Sequence, residues 1–487
     1  MISRNAVSPM QTWEAALESL RSAFGRPGWA IFSTFLTGWV LCTGRRTVVG
    51  IYRQADPDGQ HAHDAFHRFI RCGAWKPEVL WRLLAQALVR TLVPDGLIEL
   101  DLDDTLLHRT GSKVAGAGHW RDAVRSSGKR VVIAWGLNLL VVTLRVRTPW
   151  GGEPLGLPVW VVLHRKQGTK LTELATQALR TITGWFPDRR LRCCADGAYA
   201  ATLMAADIPR LTSVSRMRRD AALYHMKPTN TGRRGRPRQR GERLGTPTQL
   251  AKRAKAWKSV VIDQRGRSVV KLVNSRIVLW YAVTKRPVLL VIVRDPQGRE
   301  PDDFFVCSDI HLSPAEIAGA YAGRWSIEDT FRATKQSIHV QQPQSWAGAG
   351  PERAATLGFL LHSLVWWWFL TLPKRQQQVT ATPWYARKAA PSFTDALAAL
   401  RTVFWQTCIL KTCSLTLPTV QNALRLGSDA VVGKPKSEGG RAGTARAGSG
   451  RSLSWSCYVG WLASSIQPHR QAGVADRSSG ACRGASS

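Results

Sequence analysis

The sequence predicts an α/β protein: a mixed β-sheet flanked by helices, interrupted by an inserted β-rich subdomain and preceded by a helical N-terminal domain. Three observations predict it. Apolar residues recur at three- and four-residue steps up to about residue 92 and change to a two-residue alternation after Pro94-Asp95-Gly96. The runs that follow come in the order strand, strand, strand, helix, strand. A second group of strand-like runs then separates this block from a capped helix starting near Pro314.

Composition sets the outer bounds. A chain of 487 residues is long enough for two or three domains, at about 150 residues each. With 68 Lys and Arg against 33 Asp and Glu, the net charge is +35, so the expected partner is a polyanion, nucleic acid first. A membrane surface is disfavoured because the basic residues are spread along the chain without a terminal polybasic cluster. The nine cysteines contain no CxxC pair, which supports neither a disulfide framework nor a zinc site and fits a reducing compartment. No signal peptide is expected, since the first apolar segment is interrupted and lies too far in. The apolar run Leu357 to Pro373 holds Gly358, His362 and Ser363 and reads as a buried core helix rather than a membrane span.

Residues 1–94 carry helical patterns. Arg68, Arg71, Lys76 and Arg82 are interleaved there with Phe66, Phe69, Trp75 and Trp81, which suits a small helical DNA-binding domain and equally an ordinary amphipathic bundle. Residues 95–217 form the first part of a core. "LIELDLDDT" alternates, "RVVIAWGLNLLVVTLRV" and "LPVWVVLHR" are β-rich, "LTELATQALRTITGWF" is helical and "RLRCCADGAY" is a strand running into a turn. That order, with acidic residues ending the first and fourth strands, is the arrangement of a ribonuclease-H-like mixed sheet. Residues 218–306 read as the insertion: a basic, Gly/Pro-punctuated arm and then the runs "SVVID", "VVKLVNSRIVLWYAV" and "PVLLVIVRD". Residues 307–375 return to the core with a strand, the capped helix and the apolar helix. Residues 376–426 are expected to be helical. Residues 427–487 collapse into Gly, Ala, Ser and Arg and are expected to form a disordered tail.

The stretch "YAGRWSIEDTFRATKQ" carries the most chemistry. Ser313, Pro314 and Glu316 supply an N-cap, a first-turn proline and a capping-box glutamate. On one continuous helix, Tyr321, Arg324, Glu328 and Lys335 fall within an arc of roughly 60°. A lone carboxylate flanked by cations and a phenol suits a metal ion and a phosphate backbone. Two further acidic sites stand in strand settings: Asp103 or Asp104 at the end of the first strand, and Asp196 at the end of the fourth. Carboxylates are the hard oxygen ligands that Mg²⁺ takes, and phosphodiester cleavage by two metals requires several of them.

These motifs resemble the DDE insertion-sequence transposases. In that group Tyr, Arg, Glu and Lys are separated by two, three and six residues, and Tyr321, Arg324, Glu328 and Lys335 match at each step. "LDLDDT" and "CCADGAY" resemble the same group's two aspartate motifs, over roughly residues 95 to 375. The resemblance implies Asp104, Asp196 and Glu328 as catalytic metal ligands, although strand alternation keeps Asp103 open. It implies Mg²⁺ as cofactor, with Mn²⁺ able to substitute, and a β-strand insertion before the glutamate. It further implies double-stranded DNA as partner, both element ends and target, a homodimer on DNA, and a cytoplasmic, nucleoid-associated prokaryotic location. Tyr321, Arg324 and Lys335 are expected to grip phosphates, Trp257 to stack on an extruded base, and Arg234, Arg236 and Arg238 to enter a minor groove. The competing functions are a catalytically silent DNA-binding derivative and a nonspecific nuclease on the same fold.

Overall fold

A computed structural model describes residues 8–227, 238–264, 266–377 and 388–412. Five helices come first: α1 (Pro9–Glu18), α2 (Arg26–Leu41), α3 (Val48–Ala55), α4 (His63–Cys72) and α5 (Pro77–Leu92). Their starts follow from local chemistry. Ser8 caps α1 in a capping box with Gln11, Thr47 caps α3, and proline occupies the first turn of α1, α2 and α5.

Strands β1 (Ile98–His108), β2 (Gly118–Arg121), β3 (Ile133–Val146) and β4 (Leu155–His164) follow, then α6 (Leu171–Gly184), β5 (Leu191–Ala195), α7 (Ala200–Ala205) and β6 (Leu211–Arg216). Next come β7 (Leu223–Tyr224), β8 (Arg243–Gly245), α8 (Pro247–Arg253), β9 (Lys258–Gln264), β10 (Arg267–Leu279), β11 (Pro287–Arg294) and β12 (Asp303–Cys307). Helices α9 (Pro314–Gly323), α10 (Ser326–Gln336), α11 (Gly350–Thr371) and α12 (Phe393–Thr412) complete the described chain.

The strands form one mixed sheet in the order β2-β3-β1-β5-β6-β12-β11-β10-β7-β8, with β4 also on β3 and β9 also on β10. β1 runs antiparallel to β3 and parallel to β5, and β5 runs parallel to β6. The first strand is longer than its sequence suggested. It continues to His108, so Asp103 and Asp104 lie within it rather than at its end. The strands of residues 218–306 build no separate layer: β12 pairs with β6 and carries β11 and β10 outward as an extension of the same sheet.

The N-terminal helices do not stand apart either. Trp13, Phe32, Trp39, Phe66 and Trp81 belong to one hydrophobic core with α11, α12 and the β1–β3–β4 side of the sheet. Trp39 Nε1 donates to the Ile338 carbonyl at 2.9 Å and Trp368 Nε1 to the Pro9 carbonyl at 2.8 Å. The aromatic residues interleaved on α4 and α5 are therefore packing residues, while Arg68, Arg71, Lys76 and Arg82 remain exposed. α11 is long and apolar enough to cross a membrane, but most of it is buried inside the protein. Of the region 376–426 expected to be helical, α12 spans Phe393–Thr412, and the expected tail of residues 427–487 lies outside the described residues.

The helix expected to run unbroken through Tyr321 and Lys335 is broken. α9 ends at Gly323 and α10 starts at Ser326, with Arg324 and Trp325 forming a tight turn of three-residue hydrogen bonds. The break lies against Arg145 of β3, which comes so close that a Cβ on Gly323 would lie 2.8 Å from its Nη1. α10 is then held against β4, where Thr330 Oγ1 donates to the Gly156 carbonyl at 2.6 Å, an approach that only glycine at position 156 permits.

Candidate active site

β1 is paired on both sides, so the acidic residues it carries need partners. Asp101 is fully buried. It accepts from Arg145 Nε at 3.1 Å and from Arg145 Nη2, and Ser326 Oγ at the start of α10 donates to it at 3.0 Å. The carboxylate holds Arg145 charged and shifts its guanidinium upward despite the opposing effect of burial. This ion pair fixes the N-terminal end of α10 to the centre of the sheet.

Two residues along the same face, Asp103 accepts a 2.9 Å hydrogen bond from Arg324 Nη1. Arg324 Nη2 donates at 3.0 Å to Glu328. One guanidinium thus joins a carboxylate of β1 to a carboxylate of α10. The register of β1 against β5 pairs Leu102 with Ala195, and one further step sets Asp103 alongside Asp196. The Tyr321 hydroxyl on α9 approaches Asp196 Oδ1 at 3.5 Å. Asp103, Asp196 and Glu328, from three distant segments, therefore gather around Arg324 and Tyr321.

Asp104 belongs to the opposite side of the strand, as alternation requires. It accepts a 2.6 Å hydrogen bond from Tyr199 at the start of α7. The sequence motif assigns Asp104, whereas the geometry brings Asp103 to Glu328. Tyr199, three residues after Asp196 in "ADGAY", is a partner the sequence reading missed, although the motif containing it had been singled out.

The electrostatics follow from burial and crowding. Burial pushes the Asp103 carboxyl up to about 7; Arg324 opposes this, while the Asp104 and Asp196 charges add to it. Burial likewise pushes the Tyr321 phenol up to about 12. Burial alone would lower Arg324, but Tyr321, Asp103, Glu328 and Asp196 together raise it, so it stays charged. Lys335 is half-buried and makes no ion pair among the described residues; burial lowers its ammonium, with Asp122 opposing. Beside it, the end of β2 and the β2–β3 connection expose Arg121, Arg125, Lys129 and Arg130.

Trp257 is half-buried, and the Arg294 guanidinium covers its indole at 4.1 Å. Arg238 is exposed, and Arg234 and Arg236 lie outside the described residues.

A family model of the DDE superfamily endonucleases matches residues 20–286, more than half of the chain. The chain belongs to the DDE superfamily endonucleases. The family match takes in Asp103, Asp104 and Asp196 and ends before Glu328, so the glutamate joins the site through Arg324 and the fold. No curated protein matches the chain. Among solved structures, a cryo-EM structure of the piggyBac transposase synaptic complex with hairpin DNA is similar over 90% of this chain and 88% of that one. The identity is 10% and the TM-score 0.36, too distant to bear on function.

The donor set can be tested against the divalent metal that DDE chemistry implies. Among the described residues, no three His, Cys, Asp or Glu side chains are drawn tightly enough around one point to hold an ion. The chemistry of the donors nevertheless fits: Asp103, Asp196 and Glu328 are hard oxygen ligands, and Asp103 and Asp196 lie near enough for their charges to act on each other. Arg324 supplies positive charge between Asp103 and Glu328.

Proposed function

We propose that this DDE endonuclease is a transposase that cuts DNA at element ends and joins the freed 3′-hydroxyl to target DNA. The observation that carries the reading is the bridge from Asp103 through Arg324 to Glu328, with Asp196 in register beside Asp103. It unites the two aspartate motifs with the Tyr-Arg-Glu-Lys signature in one place. The strand order β4-β3-β1-β5-β6, with β1 parallel to β5 and antiparallel to β3, supports a ribonuclease-H-like core.

Asp103, Asp196 and Glu328 would hold Mg²⁺, with Mn²⁺ able to substitute. When bound, such ions activate the attacking oxygen and stabilise the leaving one. The chain's own residues supply position. Asp101 and Arg145 lock the start of α10, and Arg324 holds Asp103 and Glu328 together. Lys335 offers a cation to a phosphate near the scissile bond, and the exposed arginines and lysine of the β2–β3 connection extend that basic surface. With a net charge of +35, affinity for DNA is expected to fall steeply with salt.

The test compares carboxamide variants in Mg²⁺. Asp103→Asn, Asp196→Asn and Glu328→Gln should each abolish cleavage of an element-end duplex while preserving its gel shift. Asp104→Asn, which still offers Tyr199 an acceptor, should cut within about tenfold of wild type, because the lost charge lies outside the metal-binding set. Wild-type rates in Glu328→Gln would refute the reading. Wild-type protein that shifts end DNA but never nicks it would instead mark a silent DNA-binding derivative.

A further inference from the structure

The loop after α10 meets two arginines from distant parts of the chain. Arg46 stands in the turn between α2 and α3 and Arg401 on α12, with His339 beside them. The loop is pinned to this turn: Arg46 N–H donates to Gln342 Oε1 at 2.7 Å, and Gln342 N–H to the His339 carbonyl at 2.9 Å. His339 holds a left-handed backbone at φ 55°, unusual outside glycine. The arrangement is therefore built rather than incidental.

The charge balance there is one-sided. Arg46 is 6% exposed, and its Nε has no hydrogen-bond partner. Arg401 gives its Nε to the Val40 carbonyl at 2.5 Å, but its Nη2 is buried and unpartnered. Each arginine lacks an ion pair among the described residues. Besides burial, the charges acting on Arg401 are Arg46 and the Cys42 thiol, and those acting on His339 are the two arginines. A carboxylate is missing from both sets. Two neighbouring guanidiniums withdrawn from water without a counter-charge are costly, and a fork of this kind matches the oxygens of a phosphate.

We propose that Arg46, Arg401 and His339 form an oxyanion site that takes a phosphate group, separate from the carboxylate cluster. The two sites lie at opposite ends of α10. Glu328 is in its first turn, and the His339 loop follows its last, so about 12 Å of helix separates them. The phosphate comes either from the DNA backbone or from a free phosphate-bearing molecule, and the recognition chemistry is the same for both.

The experiment uses the full chain. Sodium phosphate should raise the melting temperature of wild type by about 2 °C over sodium chloride of equal ionic strength. The Arg46→Met/Arg401→Met double variant should lose this response while melting no lower than wild type in chloride, since it removes one buried and one half-buried charge that lack an ion pair. Should that variant fail to fold, His339→Asn, which tolerates the left-handed backbone, should weaken the phosphate response about threefold. Equal melting of wild type in the two salts, or an undiminished response in the variants, overturns the site. A salt titration with random-sequence duplex then assigns the source. A log–log slope about 0.9 shallower in the double variant places a DNA phosphate there, and an unchanged slope with a lost phosphate response places a free molecule. Glu328→Gln should keep the phosphate response, so this site and the cutting activity can fail separately.

Discussion

Arg324 closes on Asp103 at 2.9 Å across 221 positions of sequence. With its second amino group on Glu328, it acts as a two-pronged clamp, a task suited to a planar guanidinium and not to a point charge. Arg324→Ala should therefore lower cleavage about a hundredfold, and Arg324→Lys should recover little of it. Single-turnover cleavage at saturating Mg²⁺ checks this. Near-wild-type rates for the lysine variant would show that charge alone is sufficient.

If Asp103 holds the metal, as proposed, its raised carboxyl would make metal binding depend on pH. Below about 7 a proton on the carboxyl would compete with the ion, and above it the carboxylate would be free to ligate. Mg²⁺ affinity should be about tenfold weaker at pH 6 than at pH 8. Calorimetric titration measures this directly, and the pH midpoint of cleavage should move lower as Mg²⁺ is raised. An affinity flat across this range would mean that Asp103 does not ligate the metal.

Asp101 and Arg145 form a pair with both side chains almost fully buried. Asp101→Asn strands the guanidinium and should cost about 3–5 kcal/mol in urea unfolding. Asp101→Leu combined with Arg145→Met should recover much of that stability. The double variant should still cut poorly, because Ser326 loses its acceptor and α10 its anchor. Full activity in a stable double variant would show that the pair has no positioning role.

His362, in the apolar helix α11, is fully buried and stacks on Phe393 at 4.6 Å between ring centroids, with Nδ1 unpartnered. Burial pushes its imidazole down to about 3. The folded state thus keeps it neutral while the unfolded chain takes up a proton below about 6.5. The sign follows: stability from this residue is complete above pH 6.5 and is lost as pH falls toward 3. At pH 5 the loss is about 2 kcal/mol. His362→Phe should remove that part of the acid sensitivity, as urea unfolding at pH 7.5 and pH 5 would show.

Sequence and structure agree where a signal is local. Asp196 was legible because an apolar run ends in the turn-forming "ADG", and Glu328 because its spacing to Tyr321, Arg324 and Lys335 is fixed. The buried pairing of Asp101 was not legible, since alternation cannot reveal that α10 covers that face of β1. The break between α9 and α10 leaves little trace in the sequence, where the run from Tyr321 to Lys335 keeps a helical spacing and the approach of Arg145 from β3 to Gly323 is a long-range contact. For the same reason the strands of residues 218–306 could be detected individually, but their pairing through β12 onto β6 is a long-range event that periodicity does not encode. Arg46 and Arg401 match no motif and become visible only when the fold brings them together.

The continuity of the sheet from β6 through β12 affects the order in which the enzyme is made. A growing chain emerges from its N-terminus, so β1 and β5 can pair early, whereas Arg324 and Glu328 wait until β10, β11 and β12 have been synthesised and added to the edge. Such distant pairings form slowly. A prematurely terminated chain ending after Asp196 but before Arg324 would carry both aspartates yet lack the clamp and the third carboxylate.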